Sequence, residues 1–238
     1  MRKCFLIAFA VTLVLASASF ALEKTAMRVT DVERENWGAA TTCTVAYYNY
    51  CTGWIWVWSG WSPNDVVGVC YDCCCTNVNG RTGVSTTWEL VYTAAPPGYG
   101  FTGLIELWCV DGNCGLCLPW VSQPFYFASG WNGHVWGGIE ICCPFAVTVQ
   151  CGPGPALPSA FASDHPAAGP TGPQACGYCY PMPRSCHSYY YGTPTSPLIP
   201  GSSLTDGICC VEWIWDVALV CDVGVEEKTW ANIKSLYR

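Results

Sequence analysis

Nineteen cysteines in 238 residues set the strongest constraint on what this chain can become. A reducing compartment does not sustain that thiol density unless metals hold it, so a disulfide-rich exported protein is expected. Hydrophobic residues make up 51% of the chain, which excludes intrinsic disorder and supplies a substantial core. A net charge of -7 with ten basic residues and no Lys/Arg cluster excludes phosphate-backbone recognition, so no nucleic-acid partner is expected.

The first 21 residues read as a signal peptide. Arg2 and Lys3 form its charged start, Phe5 to Ala16 its apolar stretch and Ser19 to Ala21 a small-residue cleavage site. The apolar run is shorter than the roughly 20 residues of a spanning helix, so no membrane span is expected after cleavage. Cys4 leaves with the signal, and eighteen cysteines remain, an even number that complete pairing needs. Residues 22–42 are charged and lack a β pattern, which predicts an exposed leader arm. Residues 43–223 are expected to form one β-sandwich domain, and residues 224–238 a C-terminal docking tail.

Within the body, short runs rich in Val, Ile, Tyr, Trp and Thr are punctuated by Asn79-Gly80, Asp111-Gly112 and Asn132-Gly133. Such dipeptides favour tight turns, so the pattern predicts antiparallel β structure. Residues 152–207 hold eleven of the seventeen prolines, which predicts a long Pro/Gly-rich loop excursion restrained by its own cysteines. From Val211 to Leu219 the odd positions are apolar, while Glu212 and Asp216 alternate with them. In Thr86 to Thr93 the apolar set is Trp88, Leu90 and Tyr92, with Thr87 and Glu89 opposite. One buried face per strand predicts an all-β, disulfide-rich antiparallel β-sandwich of jelly-roll or Greek-key type. Glu89, Glu212 and Asp216 are then expected on solvent faces.

The disulfide candidates are Cys43, Cys51, Cys70, Cys73, Cys74, Cys75, Cys109, Cys114 and Cys117 in the first half of the body. Cys142, Cys143, Cys151, Cys176, Cys179, Cys186, Cys209, Cys210 and Cys221 follow in the second. Two thiolates at Cys-x-x-Cys spacing can occupy adjacent corners of a zinc tetrahedron, but oxidising surroundings favour S–S bonds, so no metal and no cofactor are expected. Cys176 and Cys179 are also spaced like the active-site pair of thioredoxin-like oxidoreductases, yet Pro181 and Pro183 would break the helix that chemistry needs. If Cys142-Cys143 and Cys209-Cys210 lie in strands, each pair points to opposite faces and must find different partners.

Aromatic and acidic residues supply the remaining candidates. Trp54, Trp56 and Trp58 stand at alternate positions of one strand, a row that could stack on sugar rings but reads more simply as core. Tyr178, Tyr180, Tyr189, Tyr190 and Tyr191 sit among Pro and Gly, where exposed rings are expected. Glu212 and Asp216 are separated by about 13 Å of extended chain, too far for the carboxylate pair of a glycosidase, which spans about 5 to 9.5 Å. No catalytic residue is assigned on these grounds.

The tail from Thr229 to Arg238 can form a short capped helix with Trp230, Ile233 and Tyr237 on one face, a docking surface. Its ending resembles the Trp-(Gly/Ala)-x-Ile-Lys-x-Leu-Tyr-Arg termini of uncharacterised exported bacterial proteins, which implies a shared sorting or anchoring role. Val32 to Trp37 echoes Val225 to Trp230, so self-association through the two terminal arms is a second use for the tail. The functional expectation is an exported structural or adhesive protein of the cell surface or periplasm, without catalysis, with a cell-surface component as partner. A carbohydrate-binding or glycoside-cleaving sandwich, with a glycan as partner, is the alternative. Ten residues cannot hold a helix alone. Deleting residues 225–238 is therefore expected to change surface retention while leaving the melting temperature unchanged, and a lower melting temperature without relocation would show that the tail packs on its own domain.

Overall fold

The computed structural model describes residues 23–29, 43–77, 79–93, 100–152, 159–166, 185–192, 202–206 and 209–220. They contain no α-helix. The first strands are β1 (Glu23–Arg28), β2 (Cys43–Ala46), β3 (Trp54–Ser59), β4 (Val66–Tyr71) and β5 (Arg81–Thr93). Next come β6 (Gly100–Val110), β7 (Leu116–Ala128), β8 (Gly130–Cys142), β9 (Phe145–Cys151) and β10 (Ser159–Asp164). The last are β11 (Ser188–Gly192), β12 (Ser202–Ser203), β13 (Thr205–Asp206), β14 (Cys209–Cys210) and β15 (Trp215–Val220). One sheet runs β1-β3-β10-β5-β15-β2 with β8 paired to β5, the second runs β12-β11-β4-β9-β6-β7, and β13 pairs with β14. Every pairing is antiparallel; β6–β7, β11–β12 and β13–β14 pair as chain neighbours, while the other adjacent strands are brought together by crossovers, the wiring of an antiparallel β-sandwich.

Large rings fill the space between the sheets. Phe161 of β10 is fully buried and meets Trp61, Phe101, Trp213 and Trp215 at centroid distances of 5.6, 6.0, 5.9 and 6.0 Å, all at steep interplanar angles. Edge-to-face contacts of this kind match the positive rim of one ring to the negative face of another. Ile105, Leu107, Val147 and Val149 close the layer from the second sheet. The first sheet is covered on its other face too: Ile55, Leu90, Ala162 and Ile214 are buried there, with Tyr48, Tyr50, Tyr92 and Trp131 packed against them.

Three sequence expectations change in the fold. Part of the expected leader arm, Glu23–Arg28, is an edge strand in full register with β3. The expected loop excursion contributes β10, which lies between β3 and β5 in the middle of the first sheet. The β5 face is inverted: Val91 joins the inter-sheet core and Glu89 shares its side, while Leu90 packs on the outside. Because both faces of this sheet are covered, burial does not follow polarity there, and Glu89 is buried. Asn79-Gly80 and Asp111-Gly112 turn the chain as expected, through the bonds from Gly80 N to Asn77 O at 3.0 Å and Cys114 N to Asp111 O at 3.0 Å. Asn132-Gly133 instead lies within β8. Buried Asn132 fastens the β7–β8 corner, accepting from Ala128 N at 2.8 Å and donating to Ala128 O and Gly130 O at 2.9 Å.

The disulfides tie the layers together. Cys109 on β6 joins Cys142 on β8, one from each sheet, and Cys73 joins the adjacent Cys143. Cys43 bonds Cys74, Cys70 bonds Cys114 and Cys186 bonds Cys210. Cys51, Cys75 and Cys209 are disulfide-bonded as well. The vicinal Cys142 and Cys143 find different partners, although only Cys142 lies in a strand, at the end of β8, and Cys143 begins the bend after it. Among the described residues complete pairing is not reached, because Cys117 is a thiol. Cys176, Cys179 and Cys221 lie outside the described residues, as do Tyr178, Tyr180 and the tail with Trp230, Ile233 and Tyr237. Cys117 is only half-buried, its thiol donating to Gly115 O at 3.6 Å. Alkylation of the native protein without reductant is expected to label Cys117, and replacing it (Cys117→Ser) should remove that label. Mass mapping that finds Cys117 already oxidised would refute the assignment.

Candidate functional site

The acidic residues that the sequence places on solvent faces are buried. Asp164 accepts from the backbone N–H of Glu212 at 2.8 Å and of Asn49 at 3.0 Å. Glu212 in turn accepts from His187 N at 3.0 and 3.3 Å. These carboxylates satisfy donors where segments leave the ladder, a structural use that explains their burial. His187 stacks on Tyr47 at 3.6 Å and His165 on Trp56 at 4.3 Å. Burial beside Asp72 and Glu212 pushes the Tyr47 hydroxyl up to about 12, so it stays protonated while accepting from Asp72 N at 2.8 Å.

A further acid, Glu106, lies on the outer side of the second sheet, away from the inter-sheet core, and is itself only 7% exposed. Along β6, Ile105 and Leu107 enter the core, so Glu106 and Trp108 face away from it. Pairing in register places Ser122, Glu106, Thr148, Gly68 and Tyr189 in one row across β7, β6, β9, β4 and β11. The Trp108 indole donates to Thr148 Oγ1 at 2.9 Å and to Glu106 Oε2 at 3.2 Å, and Thr148 Oγ1 donates to the same carboxylate oxygen at 3.4 Å. The carboxylate is thereby oriented by two donors within an aromatic setting. Tyr189 and Tyr191 lie beside the row with ring centroids 6.0 Å apart. Gly68 makes room for them, since a Cβ there would meet Val147 O at 2.7 Å and the Tyr191 ring at 3.3 Å. On the bordering edge strand β7, Trp120 and Tyr126 are 42% and 51% exposed. Arg81 covers part of Trp120 at 5.3 Å.

Chemically, this face offers one oriented carboxylate and several ring surfaces. Among the described strand residues of that face Glu106 is the one acid, whereas glycoside cleavage needs two carboxylates about 5 to 9.5 Å apart. Asp111, at the nearby turn, is committed to the backbone N–H groups of Asn113 and Gly115, both at 2.8 Å. The geometry suits binding of a hydroxylated ring better than its hydrolysis.

The other sequence candidates resolve as follows. Trp58 of the tryptophan row is core, Trp56 packs against the core, and Trp54 lies under Arg28 at 5.4 Å. Tyr191 is buried, with Tyr189 and Tyr190 half-buried, so the expected exposed rings are partly enclosed. The Sγ atoms of Cys43, Cys74 and Cys75 lie within 4.8 Å of one another, a spacing that would suit a metal. Their sulfurs are committed to disulfides, which removes the thiolates a metal needs. Glu106 and Trp108 stand two residues apart in the sequence, but Thr148 joins them only through the β6–β9 register. No protein-family description, curated protein or solved structure matches the chain.

Glu89 stands out among the buried polar groups of the described residues. Both its oxygens are buried without a hydrogen-bond partner, cross-strand from Trp215, whose indole N–H is equally unsatisfied. Burial pushes its carboxyl from 4.5 up to about 8, with Thr87 opposing the rise. A proton held in the folded state and released in the unfolded one makes stability greatest at low pH, and that contribution is lost as pH rises from 4.5 to about 8. The loss is on the order of a few kcal/mol. Replacing it by a neutral isostere (Glu89→Gln) should flatten this dependence in chemical denaturation at pH 5 and pH 8. Equal slopes for both proteins would refute the assignment.

Proposed function

We propose that the protein is an exported structural or adhesive β-sandwich of the cell surface, which holds its partner without transforming it. The observation that carries this reading is the covalent stapling of the two sheets through Cys109–Cys142, with Cys73–Cys143 alongside. Disulfides across layers restrict sliding and opening, a property useful to a protein that resists force or proteolysis outside the cell. Ligand contact is assigned to the outer face of the second sheet and its β7 border. Exposed Trp120 and Tyr126 give large contact area at low entropic cost. A specific arrangement favours glycans as the partner: the Trp108 and Thr148 donors orient Glu106 beside aromatic rings, and ring faces stack on sugar C–H surfaces while a carboxylate accepts from hydroxyls. Surface attachment is proposed for the C-terminal tail, on the one-sided spacing of Trp230, Ile233 and Tyr237 in the sequence.

The test measures binding of purified protein to a panel of oligosaccharides and to whole cells. Exchanging the exposed rings singly (Trp120→Ala, Tyr126→Ala) is expected to weaken binding about tenfold, equivalent to ~1.4 kcal/mol, with thermal stability unchanged. Binding that survives both exchanges would overturn the assigned surface, and turnover of any oligosaccharide would overturn the non-catalytic reading.

A further inference from the structure

Lys24 and Asp206 are 182 positions apart in the chain and meet at the border of the sandwich. Lys24 sits on edge strand β1, paired in register with Trp58. Its ammonium lies 4.7 Å from the Trp56 ring centroid and 5.7 Å from that of Trp58. Asp206 ends β13 and pairs in register with Cys209 of β14, next to the Cys186–Cys210 disulfide. Its Oδ1 receives the Lys24 ammonium, while Oδ2 accepts the Trp56 indole N–H at 3.0 Å. The carboxylate is 2% exposed and the lysine side chain 35%. Both partners are thus held by backbone ladders, and one indole fixes the orientation of the acid.

We propose that this pair condenses into a side-chain amide, an isopeptide bond between Lys24 Nζ and Asp206 Cγ. The step requires one proton to pass from the ammonium to Oδ1, along the hydrogen bond that already joins them. The neutral amine then attacks Cγ. Charge developing on Oδ2 is stabilised by the Trp56 N–H, which is already donated to that atom. Oδ1 leaves as water, taking the transferred proton and a second proton from the attacking nitrogen. Oδ2 remains as the amide oxygen, still facing Trp56. One N–C bond forms, one C–O bond breaks, and no oxidant, reductant or co-reactant enters the balance. Fixed contact between the reacting groups replaces a bimolecular encounter, an advantage worth effective concentrations of roughly 10⁵ M or more. The bond would fasten edge strand β1, which carries no cysteine of its own, to the β13–β14 hairpin.

Intact-mass measurement of the full exported protein, after complete reduction and denaturation, decides the matter. The chain should weigh one water molecule less than its residues require, and digestion should release a branched peptide joining the segments around Lys24 and Asp206. Replacing the amine while keeping the ion pair (Lys24→Arg) should restore full mass in a normally folded protein. Removing the indole donor (Trp56→Phe) should lower the cross-linked fraction at a given time. Wild-type chains that stay at full mass after prolonged incubation of the folded protein would overturn the proposal, as would a Lys24→Arg chain that keeps the deficit. Neither result bears on oligosaccharide binding, so this inference and the assigned function fail separately.

Discussion

The fold depends on closing two sheets around rings too large to be accommodated any other way. Phe161 is the meeting point: it contacts Trp213 and Trp215 from its own sheet, Phe101 from the opposite one and Trp61 from the segment after β3. Its strand β10 pairs with β3 on one side and β5 on the other, so the same six residues complete the first sheet and fill the interior. A layer packed in this way has the density of an organic crystal, and binding sites belong on the outer faces and borders. That is where the oriented carboxylate of Glu106 and the exposed rings of β7 are found.

Buried charge is used in two opposite ways. Asp164 and Glu212 accept backbone N–H groups and hold irregular segments to the sheets, so their burial is compensated by charge-assisted hydrogen bonds. Glu89 has no such compensation and stays protonated over a wide pH range. What separates a satisfied carboxylate from an orphaned one here is a backbone donor within reach, because the first sheet is covered on both faces.

Much of the architecture is legible in the sequence where alternation is strong. The inward set Val211, Trp213, Trp215, Val217 and Leu219 is read correctly because large apolar residues recur at every second position. The same rule misplaces Glu89, since alternation reports which side is less polar and both sides of β5 are enclosed. β10 escapes notice for a different reason: Ser159–Asp164 is short, contains no β-branched residue and is flanked by Gly and Pro, so its strand state comes from pairing on both sides rather than from propensity. The Glu106 site is half visible, as the acid and Trp108 share a strand face, whereas Thr148 arrives 40 residues later.

The disulfide map also has a temporal side. A chain made from its N-terminus presents Cys43, Cys51, Cys70, Cys73, Cys74 and Cys75 before Cys109, Cys114, Cys142 or Cys143 exists. Cys70 must wait 44 residues for Cys114, and Cys73 must wait 70 for Cys143, while nearer sulfurs are available throughout. Early oxidation can form the native Cys43–Cys74 bond but also offers Cys70 and Cys73 partners that the finished sandwich does not give them, and such pairs are undone by exchange once Cys114 and Cys143 are in place. Production of this protein is consequently tied to the isomerase capacity of the compartment that receives it, a dependence written into the order of its cysteines.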